Sequence, residues 1–388
     1  MQTYRKDIDG LRAIAVLSVI AFHAHPSLFR GGFIGVDVFF VISGYLMGSL
    51  IIKDVSMGKF SIVSFYERRI RRIFPALAFM ILVTSLLAYY CLLPSELMDY
   101  GRSAIAATFS FSNIYFDHTL NYFHRAAPTI PLLHTWSLAV EEQFYVFLPI
   151  FIIIAYRIWP TKLWLFLVAA TLVSFGLSAY GTFADRTSAY YLLQSRAWEL
   201  LLGTLVSLNS FPHVKAAIWR NAASLTGVAL VIVSVFCFSP STIFPGFAAL
   251  MPCTGAALII VAGRWGASQA GHMLSWRPLV FVGQISYSLY LWHWPLIVFM
   301  RMSELFPLGR RVPHMTALAV FATTIVATLS WKYVEAPFRS GPARPSRMRL
   351  FEIAGAAAVV LAAIGLSAIA SRGVPARYST QANTMLLT

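Results

Sequence analysis

Residues 34–52, IGVDVFFVISGYLMGSLII, run for nineteen positions with one charged side chain, Asp37. As a helix rising 1.5 Å per residue, such a run is about 28 Å long, close to the thickness of a bilayer's hydrocarbon core. The whole chain shares this character. Of its 388 residues 58% are hydrophobic, 15% aromatic and only 12% charged, where soluble domains carry about 25% charged residues. A soluble fold has too little interior to hide that much apolar surface, so the bilayer takes up the remainder. The formal charge of +15 comes from Lys and Arg in short segments between apolar runs. That pattern marks cytoplasmic loops of a membrane protein, and no nucleic-acid partner is expected.

Outward from this stretch, apolar runs recur at Gly10–Ala24, Ile34–Ile52, Ile73–Tyr90, Leu138–Tyr156, Leu163–Tyr180, Ala189–Leu208, Ala222–Phe238, Phe247–Val261, Leu279–Met300, Met315–Trp331 and Ile353–Ala370. The expectation is an all-α polytopic membrane protein with ten to eleven transmembrane helices around a central cavity. The basic start and apolar run at the N-terminus lack a small-residue cleavage site, so they read as an uncleaved first helix. With the N-terminus inside, 20 of the 30 Lys and Arg side chains fall on the cytoplasmic side. That asymmetry favours a cytoplasmic N-terminus and, with an odd number of spans, a periplasmic C-terminus. Ala104–Phe116 is amphipathic and reads as an external loop or re-entrant segment. Cys91, Cys237 and Cys253 lie in apolar stretches without a CxxC spacing, so neither a disulfide framework nor a metal site is expected.

Ionisable residues inside spans are functional candidates, because charge in hydrocarbon costs several kcal/mol unless it is partnered. Arg12 and His23 are eleven positions apart, which places them on one face of the first helix. The simpler alternative is a snorkelling Arg and an interfacial His. Asp37, just inside the second span, either caps its helix or orients His23. Arg68, Arg69, Arg71 and Arg72 precede Pro75 in FYERRIRRIFPAL. They serve as a positive-inside anchor or present paired guanidinium forks to a phosphate. In PLLHTWSLAVEEQFYVFLP, Ser137 and Glu141 share a helix face and Trp136 stands at the outer entrance. Arg196 and Glu199, three apart, read as an ion pair with a structural role. Ser286, Tyr287, Tyr290 and His293 form a polar stripe that binds a sugar or bonds neighbouring helices.

Together, YRKDIDGLRAIAVLSVIAFHA, GGFIGVDVFFVISGYL, FYERRIRRIFPAL, HTWSLAVEEQFYVFLP, GQISYSLYLWHWPL and VEAPFR resemble the acyltransferase-3 family of bacterial integral-membrane acyltransferases. The resemblance runs from residue 4 to about residue 340. It implies O-acylation, usually O-acetylation, of extracytoplasmic carbohydrate such as lipopolysaccharide O-antigen or peptidoglycan, with cytoplasmic acyl-CoA, by default acetyl-CoA, as donor. It implies residence in the bacterial inner membrane. The family's Arg-x10-His signature falls on Arg12 and His23, its Arg-x-x-Arg signature on Arg69 and Arg72, and its Trp-Ser-Leu-x-x-Glu element on Trp136, Ser137, Leu138 and Glu141.

On this resemblance His23, Asp37 and Glu141 form the expected catalytic set. Arg12, Arg69 and Arg72 are expected to bind the donor, and Trp136, Ser137, Tyr287 and His293 the acceptor; no metal is expected. Residues 1–340 make the transmembrane domain, and 341–388 a further transmembrane helix and the start of a periplasmic linker. The linker resembles the join to a periplasmic SGNH-type domain in fused members. Such a domain is expected either beyond this chain or as a separate partner. From another class, a transporter or flippase of an envelope glycan or lipid-linked precursor would use the same intramembrane charges.

Overall fold

The protein is described by a computed structural model that covers residues 4–123, 129–208, 214, 216–302, 313–340 and 344–377. Arg125, Lys215, Arg310 and Arg311, which enter the charge asymmetry, lie outside the described residues. In chain order the helices are α1 (Lys6–Ala24), α2 (Gly35–Ser56), α3 (Ile62–Cys91), α4 (Pro94–Thr108), α5 (Ser112–Phe123) and α6 (Thr135–Ile158). Then come α7 (Leu163–Ala184), α8 (Arg186–Tyr191), α9 (Leu193–Ser207), α10 (Ala217–Cys237), α11 (Leu250–Trp265) and α12 (Gln269–Leu274). The last are α13 (Arg277–Gln284), α14 (Ser286–Met302), α15 (Pro313–Ser330), α16 (Ala336–Arg339) and α17 (Arg347–Ala370). No strand occurs among the described residues, as an all-α membrane protein requires.

Local chemistry sets several helix boundaries. Asp7 and Asp9 sit in the first turn of α1, where carboxylates complement the helix dipole. Pro94 opens α4, and the Glu96 carboxylate accepts from the Leu93 backbone N–H at 3.0 Å. Asp185 caps α8 by accepting from the Ser188 N–H at 3.1 Å. Between α15 and α16 the chain widens into a π turn, Trp331–Glu335, two residues before Pro337, which has no N–H to give.

Seven described helical stretches are long and apolar enough to cross a membrane: Gly32–Ser56, Ile62–Cys91, Thr135–Ile158, Pro160–Ala184, Ala217–Cys237, Ala317–Arg339 and Arg347–Ala370. The protein is therefore a multi-pass membrane protein. The other four expected spans are helical too, but differ in detail. α1 carries four charged residues in its first two turns, and α11 has only 16 residues. The expected Ala189–Leu208 span breaks at Leu192 into α8 and α9, and Leu279–Met300 breaks at Ile285 into α13 and α14. Ala104–Phe116, expected as a loop or re-entrant segment, belongs to α4 and α5, of 15 and 12 residues. Apolar side chains that face outward on the long helices, Val173 at 65% exposure and Val359 at 69%, fit contact with lipid.

The chain divides into two compact units, Met1–Ser61 with Ser137–Tyr290 and Ile62–Trp136 with Leu291–Thr388. In the first, α2 packs on α9, α1 on α13, and α10 on α11, around a core of Leu11, Ala15, Val38, Val41, Trp198 and Ile260. Contact between α2 and α9 is backbone to backbone. A side chain at Gly44 would overlap the Leu200 carbonyl, and one at Gly203 would overlap the Val41 carbonyl. Such small-residue seams join helices in membranes, where lipid competes for every apolar surface. In the second unit α17 packs on α4 and α3, and Gly101 and Gly365 face each other across the α4–α17 seam.

Candidate functional site

In the first unit, α1 carries Arg12 and His23 on one face, about 16 Å apart along the axis. Arg12 is held by Asp9 one turn earlier, Nη1 to Oδ1 at 3.4 Å. The other Asp9 oxygen accepts from the Tyr4 hydroxyl at 2.5 Å, and Gln284 donates to that hydroxyl at 3.0 Å. Desolvation and the neighbouring Asp9 carboxylate raise the Tyr4 phenol above its ordinary range. Arg5 forks onto Asp7 through two bonds of 2.6 and 2.8 Å. His23 is half-buried, one residue from the end of α1, among aromatic rings: Phe22 at 5.2 Å from it, and Phe33 at 5.5 Å from Phe22.

Asp37 is 1% exposed, and its expected partner is corrected. Its Oδ1 accepts from Arg196 Nη2 at 2.9 Å, and Arg196 Nη1 reaches Glu199 Oε1 at 3.0 Å. Among the described residues its side-chain hydrogen bond is to Arg196 and not to His23. The reason lies in the seam: the glycine contacts bring α9 onto α2, and with it a guanidinium that answers the buried charge more strongly than an imidazole could. Arg196 is enclosed by the rings of Phe40, Tyr190 and Phe244 at 5.5–5.6 Å. Asp37, Glu199 and Cys253 bring ligand atoms within 4.8 Å of one another, and Arg196 supplies the compensating cation there. The sequence pairing of Arg196 with Glu199 holds, and Asp37 joins it.

Two further polar pairs stand in this unit. Ser43 on α2 donates to Glu141 Oε1 on α6 at 2.5 Å. Ser137 Oγ lies 2.6 Å from the Tyr290 hydroxyl, both buried, and the Tyr290 ring meets Phe39 edge-on at 6.3 Å. Ser137 and Glu141, four residues apart on one face of α6, thus each face a hydroxyl. Tyr287 is half-buried in the first turn of α14. Ser43 and Tyr290 were absent from the expected site. Tyr290 carried a signal in its stripe, whereas Ser43 had none, since a lone Ser in an apolar helix looks like any other.

The second unit sorts the basic cluster. Arg71 is 4% exposed and bound to Glu67 by bonds of 2.8 and 3.0 Å, with the Phe338 carbonyl at 3.5 Å. Arg347 closes on the other Glu67 oxygen at 2.7 Å, and Arg344 stands 3.6 Å off. Arg69 is buried, and Arg72, half-buried one turn later, makes no ion pair among the described residues. In the same unit His134 and His293, both buried, stack edge-to-face at 5.8 Å. Trp136 is buried, and the Trp294 indole donates to the Ile130 carbonyl at 2.8 Å. Of the expected site residues, Arg12, His23, Asp37, Ser137, Glu141 and Tyr287 belong to the first unit; Arg69, Arg72, Trp136 and His293 belong to the second.

Comparison with known proteins agrees with these motifs. An acyltransferase domain model matches residues 5–332. The chain is 34% identical over 370 residues to "Putative peptidoglycan O-acetyltransferase YrhL" of Bacillus subtilis, covering 90% of this chain and 57% of that protein. It is 33% identical over 350 residues to "O-acetyltransferase OatA" of Staphylococcus aureus, 87% of this chain and 57% of the relative. "Putative membrane-bound transacylase BcsY" of Komagataeibacter xylinus is 34% identical over 372 residues, 94% of this chain and 90% of its own length. The chain thus spans 57% of the length of the first two relatives. No solved structure matches it significantly. A domain match over residues 5–332, with the Arg12–His23 and Arg69–Arg72 signatures inside it, places the chain in the acyltransferase-3 family.

Proposed function

We propose that the protein, resident in the inner membrane, transfers an acyl group from cytoplasmic acyl-CoA to a hydroxyl of an extracytoplasmic carbohydrate, an acetyl group by the names of two of its relatives. The observation that carries this reading is His23: a half-buried imidazole at the end of a helix whose other end holds a compensated arginine. Imidazole is the side chain suited to proton transfer near neutrality. Its nitrogen takes the proton of the acceptor hydroxyl as that oxygen attacks the thioester carbonyl. The C–S bond then breaks, and the proton passes to the departing thiolate, which leaves as CoA thiol. His23 alternatively carries the acyl group itself before the hydroxyl attacks. A thioester is already activated toward an alcohol, so no ion gradient is needed.

Within the same proposal Arg69 and Arg72 hold donor phosphates, with Arg12 assisting; guanidinium forks suit phosphate oxygens. Glu141 and Ser137, with their partner hydroxyls, bind the acceptor or the developing oxyanion, together with Tyr287. Trp136 and His293 are further acceptor-binding residues under this reading. Asp37 acts as a positioning residue through Arg196. Peptidoglycan is the acceptor class the relatives' names favour, O-antigen the one the motif resemblance adds. Partners under this reading are acyl-CoA, the carbohydrate, membrane lipid, and an SGNH-type periplasmic domain or protein.

Membranes carrying the chain, given radiolabelled acetyl-CoA and envelope glycan, test the reading. Label is expected in base-labile glycan esters with wild type and not with His23→Ala. Arg69→Ala/Arg72→Ala is expected to recover at high acetyl-CoA. Absence of transfer even with an added SGNH-type domain would overturn the proposal in favour of glycan transport.

A further inference from the structure

Between α4, α5 and residues 129–131 of the second unit lies a partly open cavity of about 250 Å³. Its wall combines the half-buried carboxylates of Glu96 and Asp99 with the rings of Tyr115 and Phe116, the Thr119 hydroxyl and the apolar Ile130. We propose that this cavity binds one sugar ring of the acceptor glycan, neutral or N-acetylated, with Glu96 and Asp99 accepting from its hydroxyls. The proposal rests on the acyltransfer reading above and names a binding subsite for it.

Each feature of the wall narrows the ligand. Glu96 and Asp99 are three residues apart on α4 and face the same space. Both are fixed in place, Glu96 by the Leu93 N–H at 3.0 Å and Asp99 by Arg102 at 2.7 Å. A carboxylate offers about four lone-pair sites, so a carboxylate held in this way can still accept from hydroxyl donors. The Glu96 carboxylate, which makes no ion pair among the described residues, repels an anion such as a phosphate or sulfate group. A lipid chain would take the same carboxylates out of water without offering them a hydrogen bond. A hydroxyl-rich neutral ring satisfies both demands: its O–H groups meet the carboxylates and its C–H face lies on Tyr115 and Phe116. The volume is below the usual range for drug-sized ligands, which fits about one sugar ring rather than a long oligosaccharide.

The wall is hydrogen-bonded from behind and joins the family motifs. Tyr100 behind it is 3% exposed, its hydroxyl 3.0 Å from Ser85 Oγ and donating to the Ile81 carbonyl at 3.1 Å. Burial holds that phenol un-ionised. Arg377, after the last helix, donates to the Leu92 carbonyl on the rim at 3.0 Å and covers the Tyr89 ring at 4.8 Å. Ile130 accepts from Trp294, the neighbour of His293, and four residues after Ile130 comes His134, whose ring meets His293. A sugar in the cavity therefore sits against the segment that leads into HTWS.

The test uses the full chain in lipid nanodiscs and two probes, a tetramer of N-acetylglucosamine and a heparin-derived tetrasaccharide. Binding is titrated without donor, and acetyl transfer is measured in parallel. Glu96→Gln and Asp99→Asn keep the acceptor atoms that Leu93 and Arg102 use. Wild type is expected to prefer the neutral tetramer. The double variant is expected to bind it about tenfold more weakly and to raise the acceptor KM by the same factor, with kcat and the acetyl-CoA KM unchanged. Thermal unfolding of the variant checks that its fold is intact, and Thr119→Val provides a second, uncharged probe of the wall. Unchanged binding in the double variant, equal binding of the heparin fragment, or no binding by wild type would overturn the proposal. Binding as expected without acetyl transfer would overturn the acyltransfer reading instead.

Discussion

Replacing Arg196 by Met removes the one cation, among the described residues, that pairs with two buried carboxylates, with Arg196, Asp37 and Glu199 side chains 0–1% exposed. At a charge separation of about 4 Å and an effective dielectric constant of about 20, each ion pair contributes about 4 kcal/mol of gross attraction. Desolvation of the guanidinium returns several kcal/mol of this, and enclosure by three aromatic rings restores about 1–2 kcal/mol. The net cost of Arg196→Met is therefore about 3–5 kcal/mol, in line with other buried pairs that lose one partner. A triple variant, Asp37→Asn/Arg196→Met/Glu199→Gln, removes the charges together and is expected to regain all but about 1–2 kcal/mol.

The assay is SDS-titrated unfolding in mixed micelles, followed by tryptophan fluorescence; the chain has 10 Trp, of which Trp198 lies in this core. If Arg196→Met loses less than about 1 kcal/mol, or the triple variant is no more stable than the single one, the reasoning fails. The same variants decide the role of Asp37. If Asp37 serves only to hold α9 on α2 through Arg196, acyl transfer per folded molecule stays largely intact in the triple variant. A direct role in orienting His23 would abolish it.

Two further outcomes follow from the same packing. Tyr290→Phe and Ser137→Ala each cost about 1–2 kcal/mol, and the double variant costs about 1 kcal/mol less than their sum, because the 2.6 Å bond is lost only once; additivity in the unfolding assay would refute the pairing. Gly44→Leu drives a side chain into the Leu200 carbonyl and separates α2 from α9, at a cost of at least about 3 kcal/mol; a native-like midpoint for that variant would show the seam to be looser than described.

The apolar runs made the helical class legible, because a bilayer imposes one length and one composition on each span. Helix breaks were less legible. Leu192 ends a helix inside an apolar run without a Gly or Pro at the break, and at Ile285 the nearest is Gly283 within the last turn of α13, so hydropathy alone passes over both. Among site residues, those that carry charge announced themselves, since a charge in an apolar run is conspicuous. Their partners did not. Asp9, one turn before Arg12, could have been found from i,i+3 spacing, but Arg196 as the partner of Asp37 is 159 positions away, and only the α2–α9 seam brings them together.

The four arginines of ERRIRR show how structure divides what composition treats as one anchor. Arg71 is held by Glu67 and the Phe338 carbonyl, a fork with two bonds to one carboxylate oxygen. Lys cannot reproduce a planar fork. Arg71→Lys should therefore cost about 2–3 kcal/mol, while acetyl-CoA KM in the folded fraction stays unchanged. Arg72 makes no ion pair among the described residues and is half-buried. Arg72→Lys should leave stability within about 0.5 kcal/mol and, if Arg72 holds donor phosphate as proposed, raise the acetyl-CoA KM, because a point charge would replace a guanidinium fork. Unfolding midpoints and donor saturation curves on the same two preparations separate these cases. The reverse pattern, with donor KM moved by Arg71→Lys and stability by Arg72→Lys, would exchange their roles and leave Glu67 as part of the donor site.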